Sequence, residues 1–165
     1  LKGTEPAPNP SDPPDQKLRS GFVWVCLFGP DAVADFALFS PLIHRAQNTA
    51  QDPNLNVSGR FQLAALHYRA GHFTEADRLL TDILKDGAHP RSMLFEAMTA
   101  QRLGRTEEAK HWLEEAVAWM SDEGQAALPQ AQRKLNSSWE ARLELSLLRR
   151  EAEAVLKEPA PKPDK

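Results

Sequence analysis

The stretch L-A-A-L-H-Y-R-A-G-H-F-T-E-A-D-R-L-L-T-D-I-L, residues 63–84, decides how this chain reads. Within it Phe73, Ala76, Leu79, Leu80, Ile83 and Leu84 fall on one face of a helix, and Glu75, Asp77, Arg78 and Asp82 lie between them as a solvated charge stripe. Gly71 divides that helix from an earlier one, because glycine takes the left-handed conformation that ends a helix without a Cβ penalty. The stretch therefore predicts helix, glycine turn, helix.

The pattern occurs twice. Ala64, Gly71, Ala76, Leu80 and Ile83 recur 33 positions later as Ala97, Gly104, Ala109, Leu113 and Ala116. This register predicts helices over 60–70 and 74–85 in the first copy, and over 91–103 and 107–120 in the second. In the last of these Ala109, Trp112, Leu113, Ala116, Val117 and Met120 share a face, and Lys110, Glu114 and Glu115 lie outside it. The paired alanines, Ala64 with Ala76 and Ala97 with Ala109, mark where the helices of a pair cross. A methyl group there lets the helix axes approach to about 8–10 Å.

The flanks extend the helical reading. Residues 20–28 and 41–51 predict a third, degenerate hairpin. The run 22–28, with Val23 and Val25, is also readable as a strand, and helix is preferred because a lone strand has no partner. Downstream, Ser137-x-x-Glu140 predicts a capping box, with Trp139 early and Leu143, Leu147, Leu148, Ala152 and Val155 continuing an apolar face up to Pro159. Leu145, Leu148, Ala152 and Val155 also carry the 3-4-3 spacing of a coiled-coil seam. A helix capping the end of the repeat array is the preferred reading, since such an array needs its terminal face covered. The expected organisation is a proline-rich, disordered linker over 1–17, an all-α helical domain over 18–157 and a disordered tail over 158–165.

The totals exclude several classes of partner. Of 165 residues, 41% are hydrophobic and the net charge is -3, which fits one folded domain with a moderate core. No basic block exceeds Arg149-Arg150, so nucleic acid and anionic membrane surfaces are not expected partners. The apolar run 22–28 is far shorter than the ~20 residues of a membrane helix. The single Cys26, an inert small hydrophobe in that run, rules out an internal disulfide and fits a reducing, cytoplasmic setting. The chain starts at Leu1 rather than Met, and a segment of a longer protein is expected.

Residues 63–84, and more weakly F-E-A-M-T-A-Q-R-L-G-R-T-E-E-A-K-H-W-L-E-E-A-V over 95–117, resemble the tetratricopeptide (TPR) family, whose repeat is a helix-turn-helix of about 34 residues. The family's first-helix Trp is replaced by Arg60 and Met93, its large-then-small pair is Leu63-Ala64 but Glu96-Ala97, and its aromatic after the turn is Phe73 but Thr106. Residues 22–35, 68–76, 93–113 and 139–156 together resemble the C-terminal TPR segments of large planctomycete proteins, often found behind serine/threonine kinase or WD40 domains. The resemblance implies a helical-hairpin solenoid whose first helices line a concave, partner-binding groove. By register the lining is Phe61, Gln62, Ala65, Tyr68 and Arg69, then Leu94, Phe95, Met98, Gln101 and Arg102. Phe61 and Ala65 stand where the family's carboxylate clamp has Lys and Asn, so a chaperone-tail receptor is not expected.

The expected ligand is an amphipathic helix or apolar peptide with an acidic contact, supplied by a protein partner or another domain of the parent protein. The alternative is a structural spacer, or a regulatory segment of a larger kinase or WD40 protein, whose groove is filled by residues 137–157 or a neighbouring domain. No catalytic, cofactor-binding or metal-binding residue is expected. His44, His67, His72, His89 and His111 form no metal-ligand spacing, and no HExxH, phosphate loop, G-x-S-x-G or kinase motif occurs.

Overall fold

The computed structural model describes residues 57–87, 89–121, 124, 126 and 138–160. The proline-rich linker over 1–17, the upstream hairpin, Cys26, His44 and residues 161–165 lie outside the described residues. Among the described residues there is no strand, and the chain is all-helical: α1 Val57–Arg69, α2 Phe73–Asp86, α3 Pro90–Arg102, α4 Thr106–Met120 and α5 Trp139–Val155.

The two glycines close α1 and α3 identically. Gly71 has φ 79° and Gly104 φ 80°. His72 N donates to His67 O at 2.9 Å and Gly71 N to Tyr68 O at 3.0 Å; one repeat later Arg105 N donates to Ala100 O at 2.8 Å and Gly104 N to Gln101 O at 3.1 Å. Each turn is thus a Schellman motif that satisfies the last carbonyls of the helix it ends.

The N-termini are built by different means. Pro90 opens α3, where its missing N–H costs nothing and its φ is already helical, and His89 Nδ1 accepts from Arg91 N at 3.3 Å. α4 carries Glu107 and Glu108 against the positive end of its dipole. α5 is capped by Ser138, whose Oγ accepts from Ala141 N at 3.1 Å. That cap lies one residue beyond the expected Ser137, so the third helical residue is Ala141 and Glu140 takes a place in the first turn. α1 begins at Val57, earlier than the expected 60, because Val57 and Ser58 are exposed and leave no apolar signal.

Packing follows the chain. α1 lies on α2, α3 on α4 and α2 on α3, with α1 touching α3 lightly. α5 departs from that order, lying chiefly on α3 and only lightly on α4. α3 is consequently the most enclosed of the described helices, buried from Ser92 to Gln101. One core joins Phe61, Leu63, Leu80 and Ile83 of the first pair to Met93, Phe95 and Met98 of α3 and to Leu145, Leu148 and Val155 of α5.

Candidate functional site

The face shared by α1 and α3 is organised around Phe95, which the turn of α3 presents toward α1. Phe61 meets it edge-on at 5.5 Å between ring centroids with planes at 81°, and Tyr68 meets it at 5.5 Å and 87°. Both are the edge-to-face geometry that the ring quadrupoles favour. The Arg69 guanidinium carbon lies 5.5 Å from the centroids of Tyr68 and Phe95 alike. An arginine desolvated over two aromatic faces is well placed to receive a carboxylate.

α5 supplies that carboxylate. Ala141, Leu145, Leu148, Ala152 and Val155 are its buried residues, in alternating steps of four and three. Beside this seam run Glu144, Glu151 and Glu158, seven apart, and each meets an arginine. Arg91 Nη2 lies 2.7 Å from Glu144 Oε2, Arg69 Nη2 lies 2.7 Å from Glu151 Oε2, and Arg102 Nη1 lies 2.5 Å from Glu158 Oε2. The Arg69–Glu151 pair is bidentate, with Nη1 on Oε1 as well. Gln101 Nε2 adds a bond of 2.8 Å to the Glu158 main-chain oxygen. Because Arg91 takes Glu144 and Arg102 takes Glu158, α5 runs parallel to α3.

The three pairs differ in exposure and therefore in weight. The Arg69 and Glu151 side chains are 3% and 8% exposed, whereas those of Arg102 and Glu158 are 33% and 50% exposed. Burial pushes Glu144 above its ordinary value, and Arg91 beside it acts in the opposite sense. Burial and then the adjoining Glu151 likewise raise the Tyr68 hydroxyl.

Of the ten residues expected to line the groove, Phe61, Ala65, Tyr68, Leu94, Phe95, Met98 and Gln101 are buried, and Gln62, Arg69 and Arg102 are partly exposed. The structure brings Phe61, Tyr68, Arg69 and Phe95 into one contact set, ties Arg69 to α5, and ties Gln101 and Arg102 to Glu158 just past its end. Ala65, Leu94 and Met98 join the common core, and Gln62 stays outside it. The glutamates of α5 were legible in the seven-residue spacing alongside the seam, but a glutamate on a helix ordinarily reads as solvated. The apolar face of α5 is corrected as well: Trp139, Leu143 and Leu147 point outward, at 66%, 51% and 38% exposure, and the 4-3 seam faces the protein.

His67 and His72 come together across the first turn, with ring centroids 5.7 Å apart. Burial, and then His72, holds His67 below its ordinary value. Among the described residues no group of three or more His, Cys, Asp or Glu side chains could hold a metal ion, and no helix is long and apolar enough to cross a membrane. Comparison with family models, curated proteins and solved structures finds no match.

Proposed function

We propose that this chain is a non-catalytic, TPR-like scaffold module of a cytoplasmic protein, whose first-helix groove is filled by its own C-terminal helix. The observation that carries the reading is the bidentate Arg69–Glu151 pair, closed over Tyr68 and Phe95 with both side chains nearly inaccessible. A solvated groove awaiting a peptide keeps its arginine hydrated, and here the acidic contact expected of a ligand comes from α5. Filling the groove turns its aromatic rings into core, and the module then acts as a rigid element that holds neighbouring parts of a longer polypeptide in fixed geometry.

The test is a thermal and urea melt of Phe61→Ala, Phe95→Ala and the double variant. As core residues each truncation costs about 3–5 kcal/mol. Together they remove about 6–10 kcal/mol of a total stability of about 5–15 kcal/mol, so the double variant melts far below the wild type. A double variant that melts with the wild type would mean that the rings line an open groove, and the scaffold reading would fail.

A further inference from the structure

The repeat assigns Leu63 of α1 and Glu96 of α3 to one position, and both are buried, at 2% and 1% exposure. A carboxylate in a leucine's place loses its hydration and needs partners for its charge. The charged groups around Glu96 are Asp77 from α2, Arg105 from the turn ahead of α4 and Glu108 from the first turn of α4. Arg105 is already engaged, with Nη2 on Asp77 and Nη1 donating to Glu108 Oε2 at 2.8 Å. Its approach to Glu96 Oε1 is only 3.7 Å, and neither oxygen of Glu96 has a hydrogen-bond partner. Three carboxyl groups therefore share one guanidinium. The ionisable groups that α1, α5 and the residues just after α5 bring to α3, namely Tyr68, Arg69, Glu144, Glu151 and Glu158, lie on the side carrying Arg91 and Arg102. At 3.6 residues per turn that side is roughly 120–140° around α3 from Glu96.

We propose that the folded chain carries Glu96 as the neutral acid, its hydroxyl donating to the Asp77 carboxylate, so that one proton fastens α3 to α2 and the contact between the two helix pairs loosens when that proton is lost to solvent. Two carboxylates cannot hydrogen-bond to each other, since neither has a donor. A single proton supplies the donor and removes one of the two repelling charges. Arg105 is left to neutralise Asp77 and Glu108. Burial, and then the neighbouring Asp77, push Glu96 from 4.5 up to about 8, which puts release of the proton at mildly alkaline pH.

The sign of the pH dependence follows from which state keeps the proton. Between 4.5 and about 8 the folded chain retains a proton that the unfolded chain has already lost. The stabilisation is therefore complete below 4.5 and is lost as pH rises through about 8. Urea unfolding of the full chain from about pH 5 to pH 9, compared with Glu96→Gln and with Glu96→Leu, reads this directly. Relative to either variant, the folded-to-unfolded ratio of the wild type is expected to fall by nearly three orders of magnitude, about 700-fold, across that range. Superimposable pH profiles would overturn the proposal. Infrared spectroscopy of the wild type gives a readout that does not depend on either variant folding. A protonated-carboxyl C=O band is expected at neutral pH, retained in Glu144→Gln and titrating away above about pH 8. Its absence from the wild type, or its loss in Glu144→Gln, would also overturn the proposal.

Discussion

α1 and α3 end in the same glycine turn, yet among the described helices α1 packs chiefly on α2, whereas α3 is enclosed by α2, α4 and α5 together. The difference shows in the residues each helix hides. The buried set of α1 is apolar apart from His67, while α3 also buries Ser92, Glu96, Thr99 and Gln101. Most of that polarity is accounted for locally: Thr99 Oγ1 donates to Phe95 O at 2.7 Å, and Gln101 Nε2 donates to the main chain at Glu158, just past α5. Glu96 alone faces the preceding pair with no donor from its surroundings. A repeated backbone therefore does not repeat its environment. Among the described residues α3 meets three helices closely where α1 meets one, and its side chains adapt to those partners. The second helices differ in the reverse sense. α2 buries Leu79, Leu80 and Ile83 between the pairs, while α4 fully buries only Ala109 and Ala116.

The sharpest way to break this comparison is through the arginines that bind α5. Arg69→Met leaves Glu151 buried without a counter-charge, and a loss of about 3–5 kcal/mol in urea unfolding is expected. Arg69→Met combined with Glu151→Leu should recover most of that loss, because an apolar pair of similar volume removes the stranded charge. Arg102→Met, at a pair half open to water, is expected to cost at most about 1 kcal/mol. Equal losses at the two arginines would mean that α5 does not close the site around Arg69.

An intermediate effect is expected at the helix crossings. Ala76 and Ala109 are both 0% exposed, and enlarging either to Leu should cost about 1–3 kcal/mol. Ala76→Leu is expected to be the worse of the two, since Leu79, Leu80 and Ile83 leave α2 no room to shift, whereas α4 keeps only two residues fully buried. A larger loss at Ala109 would reverse this ranking of the two second helices.

A smaller effect than at the crossings falls at the turns, where the two pairs are alike. Gly71→Ala and Gly104→Ala each force a Cβ into the left-handed region, at a cost of about 1–2 kcal/mol. At Gly71 an added Cβ meets no atom within 4 Å, so strain of the backbone is the whole penalty. Melting temperatures that drop by the same amount would support the equivalence of the two turns, and a clear inequality would break it.

The helices and their glycine turns were legible in the sequence because they depend on local physics. A 3.6-residue period and a left-handed glycine act over one or two turns of chain. Helix ends were less legible. The capping-box spacing to Glu140 favours Ser137, and only the backbone path puts the Ser138 hydroxyl on a free amide instead. The face of α5 was ambiguous for a related reason. Trp139, Leu143 and Leu147 on one side and Leu145, Leu148, Ala152 and Val155 on another are each a credible apolar stripe, and only the docking partner selects between them.

What the sequence determined by itself, then, is an all-helical chain with two glycine-turn helix pairs, in which Phe61, Tyr68, Phe95, Arg69 and Arg102 share a register. What only the tertiary structure decided is where those residues point and what meets them: α5 parallel to α3, Glu151 on Arg69, and Glu96 enclosed with Asp77 and Arg105. The reason is that hydrophobic periodicity records which side of a helix avoids water. The identity of the facing element is set by contacts between residues 28 to 82 positions apart, and no local pattern carries that information.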